Sequence, residues 1–198
     1  MNNVNTPVLE TKRLILRKFT KKDLKALFTI YSDKEVNRFL PWMALKSMDE
    51  AEIFFQQHYQ KAYDMERAYK YAVCLKEDDI PIGYVHLSTE CSHDLGYGLS
   101  KEFWHKGIIT EACKAVVNRA KIDKITYITA THDVKNPRSG RVMVRLGMRY
   151  KYSYEELWQP KNILVTFRMY QINLDGEKER VYKKYWNDSI VHFVETGI

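Results

Sequence analysis

The chain has 198 residues, a net charge of +7 at pH 7, 45% hydrophobic and 29% charged residues. This length and composition predict a single domain over residues 1–198 with a packed core, and they exclude a disordered chain. No apolar run reaches about 18 residues and the first residues are polar, so we expect neither a membrane span nor a signal peptide. Three cysteines without a C-x-x-C motif indicate reduced core thiols in a cytoplasmic protein.

The first 90 residues predict an alternation of short strands and helices. Thr20 and Ser47 are expected to cap two helices, and Glu50 completes a capping box with Ser47. An aromatic turn at residues 39–42 has two interpretations, a structural anchor that holds the loop to the core or a functional lining of a binding site. The predicted elements are a strand at 11–19, helices at 21–30, 33–39 and from 47 to before 68, and a hairpin of 69–76 with 80–88.

Residues 94–121 predict a short strand, a tight basic loop and an amphipathic helix. The strand spans 95–99, the loop spans 101–107, and the helix is expected to begin at Thr110 as its cap. A helix start has unpaired backbone N–H groups and a partial positive charge, so it can hold an anion. Gly107 has no side chain, which allows a ligand to approach the backbone.

The remaining chain predicts a buried strand at 125–131, which forms a β-α-β unit with local parallel pairing. Asn136, Pro137 and Gly147 are the cap, first-turn and stop residues of the next helix. Strands are expected at 149–154 and 161–172. The last residues predict one more amphipathic helix, whose stripe would dock on its own domain or in a homodimer: Val181, Tyr182, Tyr185 and Trp186, extended to Ile190 and Phe193.

Two motifs give this chain a family resemblance. Residues 104–112, W-H-K-G-I-I-T-E-A, resemble the pyrophosphate loop of the GNAT acetyltransferase superfamily and are most like the Rim-type N-terminal acetyltransferases, which typically read W-G-K-G-Y-A-T-E-A. His105 and Ile109 depart from that pattern. About 30 residues later, N-P-R-S followed by R-V-M-V-R-L-G-M resembles the family's N-x-x-S-x-R/K-V-x-x-K-L-G-F. The opening L-E-T-K-R-L-I-L-R also resembles Rim-type chains.

The resemblance covers about residues 8–172 and implies a mixed α/β GNAT fold. Such a fold has a central, mostly antiparallel twisted sheet, a parallel splayed pair at the cofactor cleft, and helices on both faces. Residues 173–198 would be a helical extension. The implied co-substrate is acetyl-CoA, with no metal, and its expected contacts are Tyr97, Gly98, Leu99, His105, Lys106, Gly107, Ile108, Ile109, Thr110, Asn136 and Ser139.

The implied reaction is direct attack of a primary amine on the acetyl group. Many relatives use a tyrosine four residues after Ser139 as the acid, and here that position is Met143, so Ser139 is the candidate acid. Asp94 occupies the family's acidic position and is the first candidate base, with Glu156, His93 and Glu155 as others. Deprotonation at pH 7 costs about 1 kcal/mol for an α-amine and about 4 to 5 kcal/mol for a lysine.

Several functions stay open at this point. A protein N-terminal α-amine is the first expected acceptor, and a polyamine or aminoglycoside is the alternative. A module that binds acetyl-CoA without turnover is a rival of another class. The basic charge is spread along the chain, which favours a solvated surface; a nucleic-acid-binding protein is the third interpretation and predicts salt-dependent binding.

Overall fold

The computed structural model describes residues 4–198 and has a mixed α/β architecture with two sheets. Its contacts divide the described residues into two compact units. The first unit comprises residues 4–38, 44–89 and 96–116. The second comprises residues 39–43, 90–95 and 117–198.

The first sheet has the strand order β1-β2-β3-β4-β5, and the pairings from β1 to β4 are antiparallel. The buried side chains of Leu14 and Leu16 alternate with less buried neighbours, as expected for a strand with one face in a core. The strands are β1 Leu9–Glu10, β2 Leu14–Arg17, β3 Tyr69–Leu75, β4 Pro81–Leu87 and β5 Leu95–Leu99.

The predicted cap Ser47 begins a helix at Met48, whereas Thr20 caps a 3-10 turn, Lys21–Asp23, and the α-helix that follows begins at Leu24 with Asp23 as its N-cap. Asp23 accepts hydrogen bonds from the backbone N–H (2.7 Å) and hydroxyl (2.8 Å) of Thr20, and the Ser47 hydroxyl accepts one from the N–H of Glu50 at 3.2 Å. The helices are α1 Leu24–Ser32, α2 Met48–Phe55 and α3 Lys61–Tyr63, with a π-helical segment Gln56–Gln60 joining the last two.

The helix predicted at 33–39 is wrong. Asp33 accepts the backbone N–H groups of Glu35 (2.8 Å) and Val36 (3.1 Å) through its carboxylate and that of Asn37 (3.1 Å) through its carbonyl, as at the start of a helix. The next backbone bond joins the N–H of Arg38 to the carbonyl of Glu35 at 3.4 Å, which is the spacing of a turn, so the segment forms turns instead.

The second sheet has the order β6-β8-β7-β9, and its pairings are antiparallel. The predicted parallel pairing is represented by an isolated bridge between Asp94 and Thr129. Helix α4 (Ile108–Ile122) precedes these elements. They are β6 Tyr127–Asp133, α5 Pro137–Arg145, β7 Arg149–Trp158, β8 Ile163–Asn173, α6 Lys184–Asp188 and β9 His192–Phe193.

The long C-terminal helix is also wrong, because α6 has only five residues. Tertiary partners bind the backbone on either side of it. Gln171 accepts the N–H of Tyr182 at 2.8 Å, and the carbonyl of Val191 accepts the N–H of Glu155 at 2.9 Å. The hydrogen-bonding capacity of these backbone groups is thus satisfied without a helix.

The predicted docking stripe is confirmed for four of its side chains. Val181, Tyr182, Tyr185 and Trp186 pack against the buried cluster of the second sheet, which is one of the two alternatives foreseen. Ile190 is 99% exposed and lies outside the stripe, as does Phe193.

Two of the three cysteines are buried, and the prediction of a core thiol is wrong for the exposed Cys91. Among residues 4–198, no helix is both long and apolar enough to cross a membrane.

Candidate active site

The basic loop joins β5 to α4 within the first unit. A turn at Lys101–Phe103 leads to Trp104, and α4 begins at Ile108. The helix therefore starts two residues earlier than predicted, and Thr110 lies in its first turn rather than at its cap. The segment from His105 to Gly107 is the connection between the two elements.

Local geometry fixes the shape of this loop. The indole N–H of Trp104 donates to the carbonyl of Leu99 at 2.7 Å, which ties the loop to the end of β5. His105 and Gly107 have φ angles of +62° and +73°. Glycine adopts that region without strain, and a side chain at position 107 would meet only Arg13, 3.8 Å away.

Arg13, paired with Glu111, holds the loop by a hydrogen bond to the loop backbone. The Arg13 guanidinium donates to Glu111 (Nε to Oε2, 2.8 Å) and to the carbonyl of Lys106 (3.0 Å). The hydroxyl of Thr11 donates to Glu111 at 2.6 Å. Burial opposes ionisation of Glu111, but these hydrogen bonds outweigh it and lower the pKa of the carboxyl. Arg13 was missed as a site residue, although it belongs to the opening motif that resembles Rim-type chains.

The first turn of α4 suits an anion. The bond from the N–H of Glu111 to the carbonyl of Gly107 (3.0 Å) closes this turn. The N–H groups of Ile108, Ile109 and Thr110 precede it and lack an i−4 carbonyl within the helix. Together with the helix dipole and the exposed Lys106, they fit a pyrophosphate.

Strand β5 carries Tyr97, Gly98 and Leu99. A Cβ at Gly98 would lie 2.6 Å from the ring of Tyr84, so this position requires glycine for close packing. Tyr97 and Gly98 are half-buried and Leu99 is buried.

Helix α5 presents Asn136 and Ser139 at its start, in the second unit. Asn136 is the N-cap, and its side-chain oxygen accepts the N–H of Ser139 at 3.4 Å. Pro137 occupies the first turn, where its missing N–H costs nothing. Met143 is 1% exposed, which makes it a core residue, whereas Ser139 is half-buried.

Asp94, which also belongs to the second unit, is the carboxylic acid of the described residues whose pKa is raised furthest. The hydroxyl of Thr129 donates to its carboxylate at 3.3 Å and to the carbonyl of Ser92 at 2.8 Å. Burial of the carboxyl, aided by the negative charge of Glu156, raises the pKa of Asp94 to about 7, against the opposing bond from Thr129. The carboxyl is therefore about half ionised at neutral pH.

The other candidate bases differ from Asp94. Glu156 is exposed as a residue, yet partial burial of its carboxyl raises its pKa, and its charge acts on Asp94. Glu155 accepts a long hydrogen bond from Thr166 at 3.4 Å. His93 has a φ of +45° and its ring meets Tyr127 edge-on. Asp94 and Glu156 are thus brought into electrostatic contact.

Comparison with known proteins decides the family. Residues 13–149, the greater part of the chain, match the family described as the acetyltransferase (GNAT) domain. The chain belongs to the GNAT acetyltransferase family. A curated Bacillus subtilis relative, the uncharacterized N-acetyltransferase YnaD, is 28% identical over 145 residues, which are 71% of this chain and 82% of that protein.

Solved acetyltransferase structures share the fold. A GNAT-family acetyltransferase from Bacillus anthracis has a TM-score of 0.75 at 24% identity, covering 85% of this chain and 99% of that one. The ribosomal-protein-S5-alanine acetyltransferase from Vibrio fischeri has a TM-score of 0.67 at 21% identity (86% and 98%). The microcin C7 self-immunity acetyltransferase MccE, solved with acetyl-CoA and AMP, has a TM-score of 0.70 at 17% identity (82% and 93%).

These findings confirm the predicted GNAT fold and the resemblance to the GNAT family. The protein is an acyltransferase of the N-acetyltransferase kind. Within residues 4–198 no group of three or more His, Cys, Asp or Glu side chains is placed to hold a metal ion.

Proposed function

We propose that this GNAT protein transfers the acetyl group of acetyl-CoA to a primary amine, and that its preferred acceptor is the N-terminal α-amine of a protein. The likeness to the Vibrio fischeri enzyme supports this choice. That enzyme is described as acting on an alanine, and an alanine residue has no amine other than its α-amine.

The observation that carries the proposal is the raised pKa of Asp94, about 7. A base of this pKa takes a proton from an α-ammonium group of pKa about 8 at a cost of about 1.4 kcal/mol. From a lysine of pKa about 10.4 the cost is about 4 to 5 kcal/mol. Asp94 can therefore serve as the base at neutral pH, since a general base works best when its pKa lies near the operating pH. The difference of about 3 kcal/mol between the two acceptors comes from the amines themselves and makes the α-amine the easier one to deprotonate.

The cofactor contacts follow from the chemistry of the loop. Acetyl-CoA, when bound, supplies a thioester whose acetyl carbon the amine attacks. Backbone N–H groups of residues 105–110 bind the pyrophosphate, and Lys106 adds positive charge. Tyr97, Gly98 and Leu99, in the edge strand β5, pair with the pantetheine arm, and an N–H there polarises the thioester carbonyl.

The acid role falls to α5. Asn136 hydrogen-bonds the cofactor arm, and the Ser139 hydroxyl donates a proton to the departing thiolate. Met143 has no proton to give, which leaves Ser139 as the donor on this helix. Asp94 receives the proton of the attacking amine, and Glu156 acts on it through its charge.

A panel of acceptors tests the proposal. The first peptide has a free N-terminus and no lysine; the second has a blocked N-terminus and one lysine; spermidine and kanamycin represent small amines. Thiol release is followed spectroscopically and tandem mass spectrometry locates the acetyl group. We expect turnover with the first peptide and at least tenfold less with the others.

Each alternative predicts a different result. Preference for spermidine or kanamycin would establish the small-molecule function instead. Saturable acetyl-CoA binding without thiol release from any amine would establish the non-catalytic module. Asp94→Asn should reduce turnover with the first peptide by 10²-fold or more, and Asp49→Asn, at the exposed start of α2, should leave it unchanged.

A further inference from the structure

The C-terminal segment, residues 174–198, lies beyond the part of the chain that matches the GNAT family. It is nevertheless fastened to the second sheet at both ends. The hydroxyl of Tyr152 donates to the carbonyl of Tyr182 at 2.7 Å. At the far end, Glu195 accepts two hydrogen bonds from the Arg168 guanidinium (2.9 and 2.5 Å) and pairs with it in charge.

Tyr185 lies between these two anchors in the sequence. Its side chain packs on β7 and lies near Asp94, the candidate base. Its ring stacks on that of Tyr154 in β7, with centroids 5.3 Å apart and planes 12° from parallel. Its phenol lies close enough to Ser92, Thr129 and Asp94 for each of them to influence its pKa. Thr129 in turn donates to the carboxylate of Asp94.

The groups that face Asp94 leave burial as the main influence on its charge. Glu156 is the charged neighbour, and the phenols of Tyr154 and Tyr185 are the other titratable ones. Burial raises the pKa of both phenols, so both are neutral at physiological pH. Two neutral aromatic side chains thus lie within electrostatic range of the carboxylate, and one of them comes from the C-terminal segment.

We propose that Tyr185 is a positioning residue for Asp94: its ring shields the carboxylate from water, and its hydroxyl holds Thr129 in place beside it. The segment would thereby bring to the site a side chain that the matched GNAT residues do not contain. This inference rests on the proposed function, in which Asp94 takes the proton of the amine.

The test measures the proton affinity of Asp94 directly. The side-chain carboxyl carbon is titrated by ¹³C NMR in the wild-type protein, with Asp94→Asn to identify the resonance. Tyr185→Leu removes the ring, and Tyr185→Phe removes only the hydroxyl and is expected to fold normally. Trp186→Leu is the matched control, because Trp186 belongs to the same C-terminal segment but packs against Tyr152 of β7.

We expect Asp94 to titrate near pH 7 in the wild type and at least one pH unit lower in Tyr185→Leu, a tenfold rise in its acid dissociation constant. Tyr185→Phe should titrate roughly a few tenths of a unit higher, because Thr129, no longer held by the hydroxyl, would stabilise the carboxylate less, and Trp186→Leu should match the wild type. An unchanged titration in Tyr185→Leu, or an equal shift in Trp186→Leu, would overturn the inference.

The pH profile of kcat/KM separates this inference from the proposed function. The acidic limb should move with the carboxyl titration in Tyr185→Leu, which a purely structural role would not produce. Undiminished turnover in Asp94→Asn would overturn the assignment of the base. The carboxyl titration would then still decide whether Tyr185 controls the proton affinity of Asp94.

Discussion

Asp94→Asn should make the folded protein relatively more stable as the pH rises. The folded pKa of Asp94 is about 7 against an ordinary value of 3.8. Between these values the unfolded chain has released a proton that the folded protein still holds, so the free energy of unfolding falls as pH increases. Asparagine is neutral and removes this dependence.

The magnitude follows from linkage. Each pH unit in that interval costs the wild type about 1.36 kcal/mol, which gives about 1.5 kcal/mol at pH 5 and about 4 kcal/mol at pH 8. Asp94 is half-buried, so solvent screening reduces the change in the free energy of unfolding between pH 5 and pH 8. We therefore expect the stability advantage of Asp94→Asn to widen by about 1.5 to 2.5 kcal/mol between pH 5 and pH 8.

Urea unfolding at several pH values measures this widening. Burial lowers the pKa of His86 and His132, which gives the wild type an opposite slope at acid pH, but both proteins share it. The difference between the two proteins therefore isolates Asp94. The exposed Asp49→Asn serves as the control and should run parallel to the wild type. Parallel curves for Asp94→Asn would refute a raised pKa and with it the matched-base argument.

Three further substitutions test particular contacts. Gly98→Ala should lower the free energy of unfolding by about 1 to 3 kcal/mol, measured by urea unfolding, because the new Cβ would lie 2.6 Å from an aromatic ring. Gly96→Ala is the control: its Cβ would meet nothing within 4 Å, so the free energy of unfolding should change little. Arg13→Ala should weaken acetyl-CoA binding several-fold by calorimetry, since the loop loses its support, while Lys76→Ala breaks only a peripheral ion pair and should not. Glu156→Gln should lower the acidic-limb pKa of kcat/KM, because it removes a like charge from Asp94, and an unchanged profile would contradict that coupling.

Local signals predicted the parts of this molecule that local interactions stabilise. Ser47 with Glu50, and Asn136 with Pro137, are caps that can be recognised within a few residues of sequence, and both lie where expected. The pattern W-H-K-G-I-I-T-E-A located the loop for the same reason, although α4 begins two residues earlier than its threonine indicated.

Interactions between distant residues could not be predicted in this way. The Arg13–Glu111 pair joins residues 98 positions apart, and no periodicity reveals it. The amphipathic stripe after residue 174 suggested a helix, but Gln171 and β7 bind its backbone and shorten the helix to Lys184–Asp188. The raised pKa of Asp94 depends on burial in the folded protein, which no local sequence pattern reveals.

The central claim is that the loop from His105 to Thr110 binds acetyl-CoA, and calorimetric titration tests it most directly. Gly107→Glu places a negative charge and a side chain on the loop at a φ of +73°, and Gly176→Glu makes the same change at +89° far along the chain. We expect saturable binding by the wild type and Gly176→Glu, and at least a tenfold weaker Kd for Gly107→Glu. Equal affinity in all three proteins, or no binding by the wild type at millimolar acetyl-CoA, would contradict the account.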